Sequence, residues 1–295
     1  MPWIGGSDDT SGVTESIPAS LRIVRRANRT LGRVAPSLAA RLNQRLFSTP
    51  RRHAPRDWEL ALEAAGRRRR LTGGLSVLEA GDGPTVALIH GWEGRATQFA
   101  AFVPRLLDAG YHVVAIDGPA HGHSRGRRAD PYRFADALRV VADTFGPLHG
   151  AVGHSMGGGS IAIALAAGLE ARRVVSIASP ASLRDVIDRY AEVMQLPPQA
   201  TSQFRERFHR HIVQSGHRPV DVLELLRDVT TEALVIHARD DREVPFDHGE
   251  RIVAHWQRAQ LMPVEGLGHR RILRDPAVIE AAVAFLRGTR EPAAR

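Results

Sequence analysis

Gly153-His154-Ser155-Met156-Gly157 sets a serine between two glycines, after the short strand-compatible run Gly150-Ala151-Val152 and before the small-residue helical run 157–167. A serine at a sharp strand-to-helix turn is held clear of the sheet, and glycines on either side let the strained backbone close. The amide of Met156, at the start of the helix, then points toward the oxygen of any acyl group the serine attacks. A serine hydroxyl is a weak nucleophile at neutral pH, so it needs a base, and the base needs a group that fixes its tautomer. The chain supplies both in the order Ser, Asp, His. Asp241 lies on a loop just past the apolar run 233–237, with Asp240 beside it as a rival carboxylate, and His269 lies on a loop after residues 261–264. Asp240 is read as a loop-capping group.

Apolar runs place the elements that must carry these residues. Strands are expected over 74–80, 85–89, 111–116, 173–178 and 233–237, and a last helix is expected after His269. About fifty residues between 180 and 230 read as three helices, near 182–195, 199–214 and 220–229, separated by Pro197-Pro198 and by residues 216–219.

Taken together, these segments resemble the α/β-hydrolase fold, and the likeness covers roughly residues 75–288. Ala238 to Pro245 matches a G-x-x-D-x-x-V-P pattern with alanine in place of the glycine, which makes Asp241 the acid. Gly268-His269 matches the histidine. His90-Gly91-Trp92 resembles the H-G-x turn, in which the amide after the glycine is the second oxyanion donor, so the resemblance assigns Trp92 N–H beside Met156 N–H. Residues 117–124 resemble the D-x-P-G-H-G-x-S turn, with Ala120 where glycine is usual. Asp117 and His121 are read there as loop fasteners and His123 as a loop residue.

The resemblance implies a mostly parallel central sheet flanked by helices, with a small helical cap inserted at about 180–230. It implies a serine hydrolase with Ser155, Asp241 and His269 as the triad and neither a cofactor nor a metal. The reaction expected is that of a carboxylesterase on small to medium, mostly apolar esters or thioesters, through an acyl-serine. The alternatives are amide or carbon–carbon hydrolysis by the same triad, or a non-catalytic small-molecule receptor. Dehalogenase and epoxide-hydrolase chemistry use an aspartate nucleophile in this family, and position 155 is serine. A cap of this length implies a modest pocket. His209-Arg210-His211 alternate around a helix without an acidic partner and are read as solvated rather than as metal ligands.

Composition narrows the classes further. All 40 basic residues are arginine and cysteine is absent, which excludes disulfides, a thiol nucleophile and thiolate metal sites. No apolar run approaches the roughly 20 residues that span a bilayer. The start, Met1 to Asp9, lacks a basic segment leading an apolar core, so no secretory signal is read and the expected location is cytoplasmic. Residues 1–75 hold 14 arginines against 6 acids, whereas the remainder holds 26 of each, so the formal charge of +8 belongs to the N-terminal arm. The domains read from sequence are this basic arm, 1–73, with a disordered start, and a hydrolase domain, 74–295.

Within the arm, Leu21, Val24, Leu31, Val34, Leu38, Leu42 and Leu46 recur at helical steps with arginines between them. Two amphipathic helices are expected. They would pack on the hydrolase body or a second subunit, or lie on an anionic membrane surface. Arg67-Arg68-Arg69-Arg70 is read as a solvated strand edge rather than a nucleic-acid site, so the expected partner is a small ester-like substrate.

Overall fold

The apolar runs become strands, and their burial separates the centre of the sheet from its edges. The computed structural model describes residues 18–219 and 221–288; the disordered start assigned on sequence, and Val220, lie outside them. The strands are β1 (Arg67–Arg70), β2 (Ser76–Ala80), β3 (Thr85–Ile89), β4 (His112–Asp117), β5 (Leu148–His154), β6 (Ala171–Ile177), β7 (Glu232–Ala238) and β8 (Ala259–Val264). They form one sheet in the order β1-β2-β4-β3-β5-β6-β7-β8. The β1–β2 and β2–β4 pairs are antiparallel and the other five are parallel. β3 is buried at every position, as a central parallel strand covered on both faces must be. The helices are α1 (Ala19–Val34), α2 (Pro36–Ser48), α3 (Leu60–Ala65), α4 (Phe102–Asp108), α5 (Pro131–Phe145), α6 (Met156–Ala166), α7 (Leu183–Val193), α8 (Pro198–Gln214), α9 (Val222–Leu226), α10 (Asp247–His255), α11 (Gly268–Arg271) and α12 (Pro276–Arg287).

The chain divides into two compact units, one of residues up to Thr49 with Ser182–Asp221, the other of Pro50–Ala181 with the chain from Val222 on. Residues 50–73 belong with the sheet, because Arg67–Arg70 pair along β2 as its edge strand. Their charges are met locally. Arg67 bonds Glu79 at 2.7 Å, Arg68 bonds Glu63 at 2.6 Å and Asp117 at 2.9 Å, and Arg69 lies over the Phe145 ring. The third helix expected near 220–229 is the short α9, and it goes with the sheet unit.

The smaller unit shows where the amphipathic arm packs: α1 and α2 meet the inserted α7 and α8. Phe47 sits among Tyr190, Phe204 and Phe208, with ring centroids 5.1, 5.5 and 5.5 Å away, all edge-on, the geometry that aromatic quadrupoles favour. Beside this cluster Asn28 and Asn43 are buried but satisfied. Asn43 Nδ2 donates to Asn28 Oδ1 at 2.9 Å, Asn28 Nδ2 donates to the Met194 carbonyl at 2.9 Å, and Tyr190 Oη donates to Asn43 Oδ1 at 2.9 Å. Burial raises the Tyr190 hydroxyl above its ordinary pKa, so it remains a donor. Neither piece has this core without the other.

Candidate active site

The carboxyl ends of β3, β5, β7 and β8 each release a loop carrying one part of the sequence-predicted site: His90-Gly91-Trp92, Ser155, Asp241 and His269. In open α/β sheets this edge is where ligands bind. Ser155 is the hinge between β5 and α6. Its backbone has φ 53° and ψ −123°, a conformation costing a non-glycine residue of order 1–3 kcal/mol. It is fixed from the neighbouring strand by the bond from Ser155 N–H to the Ile177 carbonyl at 2.8 Å. Close approach accounts for the flanking glycines. A Cβ on Gly157 would lie 2.3 Å from the Ile89 carbonyl oxygen, and one on Gly153 would lie 2.6 Å from the Gly158 nitrogen. The α6 helix that follows is buried from Gly157 to Leu165, which its small residues permit.

His269, on the short α11 rather than the expected loop, and Asp241, on the loop after β7, come together: Nδ1 of His269 is 2.7 Å from Oδ2 of Asp241, and both residues are buried. Nδ1 therefore carries a proton donated to the carboxylate, and a ring holding that proton alone has its acceptor at Nε2. The other oxygen of Asp241 accepts from the amides of Glu243 at 2.8 Å and Val244 at 2.9 Å. Burial alone would raise the Asp241 carboxyl, but the bonds from His269 and these two amides outweigh it and hold the group below the usual carboxylate range. Asp240 is exposed and accepts only a 3.3 Å contact from the Gly268 amide. Of the two adjacent carboxylates, Asp241 is the one facing the histidine.

Met156 is the first residue of α6, a position whose amide has no acceptor a turn back within the helix. The H-G-x turn is close by, since a Cβ on Gly91 would lie 2.8 Å from the Ser155 Cβ. Positive φ angles at Glu93 (56°), Ala120 (66°) and Ala178 (51°), all just past strand ends, join that of Ser155. Strain of this kind concentrates at functional edges.

Other residues of the site carried no signal in sequence. His154 occupies the variable position of the elbow motif. Its ring is buried, 4.8 Å from that of His269, and its Nε2–H donates to the His269 carbonyl at 2.8 Å. The residue next to Ser155 thus anchors the backbone of His269. Burial, with the adjacent His269, pushes the His154 imidazole down to about 3, so it is neutral. His237 supports the acid loop through a 2.9 Å bond from Nε2–H to the Val244 carbonyl, and burial lowers its pKa also. Arg52 was read only as part of the arm, yet its guanidinium donates to the carbonyls of Ala120, Gly122, Ser124 and Gly126 at 2.7–3.2 Å. It clasps the whole 120–126 loop.

The residues read as loop fasteners reach further than their own turn. Asp117 accepts from the amides of Ala96 at 2.9 Å and His123 at 3.0 Å and from Arg68. His121 donates from Nδ1 to the Pro119 carbonyl and accepts at Nε2 from the Glu93 amide. His90 likewise donates from Nδ1 to the Gly91 carbonyl and accepts at Nε2 from the Gly118 amide. A ring with one donating and one accepting nitrogen has no place for a second proton. With burial as the leading cause, His90 is lowered to about 4 and His121 to about 3. Among the described residues, no cluster of His, Asp and Glu is arranged to hold a metal ion.

The chain belongs to the alpha/beta hydrolase family, whose pattern matches residues 86–282. Epoxide hydrolase A of Mycobacterium tuberculosis is 36% identical over 146 residues, 45% of this chain and 41% of that protein, so the match spans less than half of that relative. The 2-hydroxy-6-oxo-6-phenylhexa-2,4-dienoate hydrolase of Comamonas testosteroni is 27% identical over 237 residues, 65% of this chain and 83% of the relative. Among solved structures, an esterase from Rhodococcus sp. ECU1013 superposes with a TM-score of 0.57 at 19% identity, covering 77% of this chain and all of that one. An esterase from Exiguobacterium antarcticum does so with a TM-score of 0.59 at 17% identity, covering 75% and 99%. At these identities the structural likeness establishes the fold.

Proposed function

We propose that the protein is a serine carboxylesterase acting on small to medium, mostly apolar esters or thioesters. The observation that carries this reading is the 2.7 Å contact between His269 and Asp241, beside an elbow that presents Ser155 in strained backbone. In the proposed reaction Ser155 Oγ attacks the acyl carbon while His269 Nε2 takes its proton, and Asp241 stabilises the imidazolium. The tetrahedral oxyanion accepts hydrogen bonds from the amides of Met156 and Trp92, each worth roughly a hundredfold to a thousandfold in turnover. Collapse expels the alcohol or thiol, which leaves with the proton from His269. Water, activated by the same nitrogen, then releases the acid from the acyl-serine.

A panel of p-nitrophenyl esters of increasing acyl length tests the substrate class. Saturable turnover with a chain-length optimum is expected. A folded protein inert toward every member would overturn the esterase reading. Carbon–carbon hydrolysis by the same triad is the second reading, favoured by the relative from Comamonas testosteroni, which matches over 83% of its length. That reading expects turnover of a vinylogous 1,5-diketone where the ester panel fails.

A further inference from the structure

The arm has a second apolar face that its packing leaves open. On α2 the buried side is Ala39, Ala40, Asn43 and Phe47. Leu38, Leu42 and Leu46, one turn apart, are instead 47%, 43% and 52% exposed. Val34, one turn earlier at the end of α1, is 81% exposed, and Ile23 is 69% exposed. Leu38, Leu42 and Leu46 make one row along α2, with Val34 at the turn before it, rather than scattered surface residues.

The charge around the stripe indicates what covers it. Residues 19–48 contain seven arginines and no acid. Arg22, Arg26, Arg33, Arg41 and Arg45 are exposed. At 100° per residue, Arg41 and Arg45 fall directly alongside the Leu38–Leu42–Leu46 row. A second copy meeting this face about a two-fold axis would set one copy's arginines against the other's, because such an interface repeats one patch on both sides. An anionic lipid surface offers the complementary arrangement, with phosphates at the level of the guanidinium groups and acyl chains below them for the leucines.

We infer that α1 and α2 form an interfacial anchor, through which the protein docks on an anionic bilayer surface with Leu38, Leu42 and Leu46 immersed and Arg41 and Arg45 at the headgroups. The helices lie on the membrane and do not cross it; among the described residues, no helix is long and apolar enough to span one. The inserted helices α7 and α8, which share a core with the arm, are held in the same unit as the anchor. This inference is independent of the reaction proposed for Ser155.

Flotation of the full chain tests it, with vesicles of phosphatidylcholine containing about a third phosphatidylglycerol against phosphatidylcholine alone, at about 0.15 M salt. Three proteins are compared: wild type, Leu38→Ser/Leu42→Ser/Leu46→Ser, and Arg41→Gln/Arg45→Gln. All substituted side chains are exposed, so circular dichroism should report an unchanged fold for each. Wild type should float with the anionic vesicles and stay below with the neutral ones. The arginine pair should weaken binding about 25-fold, at roughly fivefold per charge, and the leucine triple should abolish it. Equal binding to both vesicles, or no binding to either, overturns the inference. So does a wild-type dimer in sedimentation that the leucine triple converts to monomer while no flotation occurs, which assigns the stripe to a second copy. Should the leucine triple misfold, the arginine pair alone decides, since a pair that floats like wild type removes the electrostatic half of the argument.

Discussion

Replacing His154 with phenylalanine tests whether His269, the proposed base, is held by its own backbone carbonyl. The substitution keeps a buried ring of similar size beside His269 but deletes the donor 2.8 Å from the His269 carbonyl oxygen. An acceptor left unpaired in a buried site costs about 1–3 kcal/mol. The charged state of the position does not change, because His154 is neutral at assay pH. If the carbonyl recovers its bond by shifting the 268–271 turn, the cost moves from stability to geometry, and the His269 ring is displaced. At 1.4 kcal/mol per decade, the loss corresponds to about fivefold to 150-fold in kcat/KM. It should fall on kcat with KM nearly unchanged, since the contacts of His154 are to His269, the proposed base. His154→Gln, which carries an N–H at similar reach, should recover part of the loss. Ester turnover of the three proteins at pH 7.5, with urea melts of each, separates the contributions. A phenylalanine variant with wild-type kcat, or a glutamine variant no better than phenylalanine, would refute the anchoring role.

Asp241→Asn should lower kcat by about 10⁴-fold, the magnitude seen when the orienting carboxylate of such a triad is lost; Asp240→Asn should leave kcat within a few-fold, and steady-state kinetics of the pair decide which carboxylate acts. Phe47→Ala should cost about 3–5 kcal/mol of the smaller unit's packing and loosen the backbone of α1 and α2 enough for trypsin to cut at their arginines, so a digestion pattern identical to wild type would argue against the shared aromatic core. Stability should also fall on acidification. His90, His121 and His154 are lowered to about 4, 3 and 3 in the folded state, so below the ordinary histidine value the unfolded chain takes up protons that the native protein does not. By linkage each costs up to about 2 kcal/mol at pH 5 relative to pH 7.5. Asp241, lowered in the folded state, stabilises above the ordinary carboxylate value, and its share is lost only below about pH 4. Urea midpoints that do not move between pH 7.5 and 5 would contradict the neutral-histidine scaffold.

How much of this was legible in sequence follows from what each residue's surroundings require. The elbow could be read because its glycines are demanded by contacts within a few residues and by the strand end next to it, so the motif carries its own geometry. Asp241 could be distinguished from Asp240 only through the pattern running to Pro245; the structure gives the reason, with the Glu243 and Val244 amides turned onto one carboxylate. The arm's periodicity gave its helices but not their neighbours, since apolar spacing marks a buried face without naming what buries it. Phe47 meets Tyr190, Phe204 and Phe208 from more than 140 residues away. The partners of the four-arginine run were not legible, because Glu79 and Asp117 are brought to it by strand pairing and Glu63 by the turn out of α3. His154 and Arg52 act on main-chain carbonyls, which have no side-chain signature in any sequence.

Labelling with a fluorophosphonate, followed by peptide mass mapping, addresses the central claim most directly, because a serine reacts at a useful rate only when base, acid and oxyanion donors are assembled around it. Wild type should take up one equivalent on the peptide bearing Ser155 and lose ester turnover in proportion, and Ser155→Ala should fold normally, take up none and turn over nothing. Ester hydrolysis that persists in Ser155→Ala, or a label that settles on another residue while Ser155 stays unmodified, would contradict it.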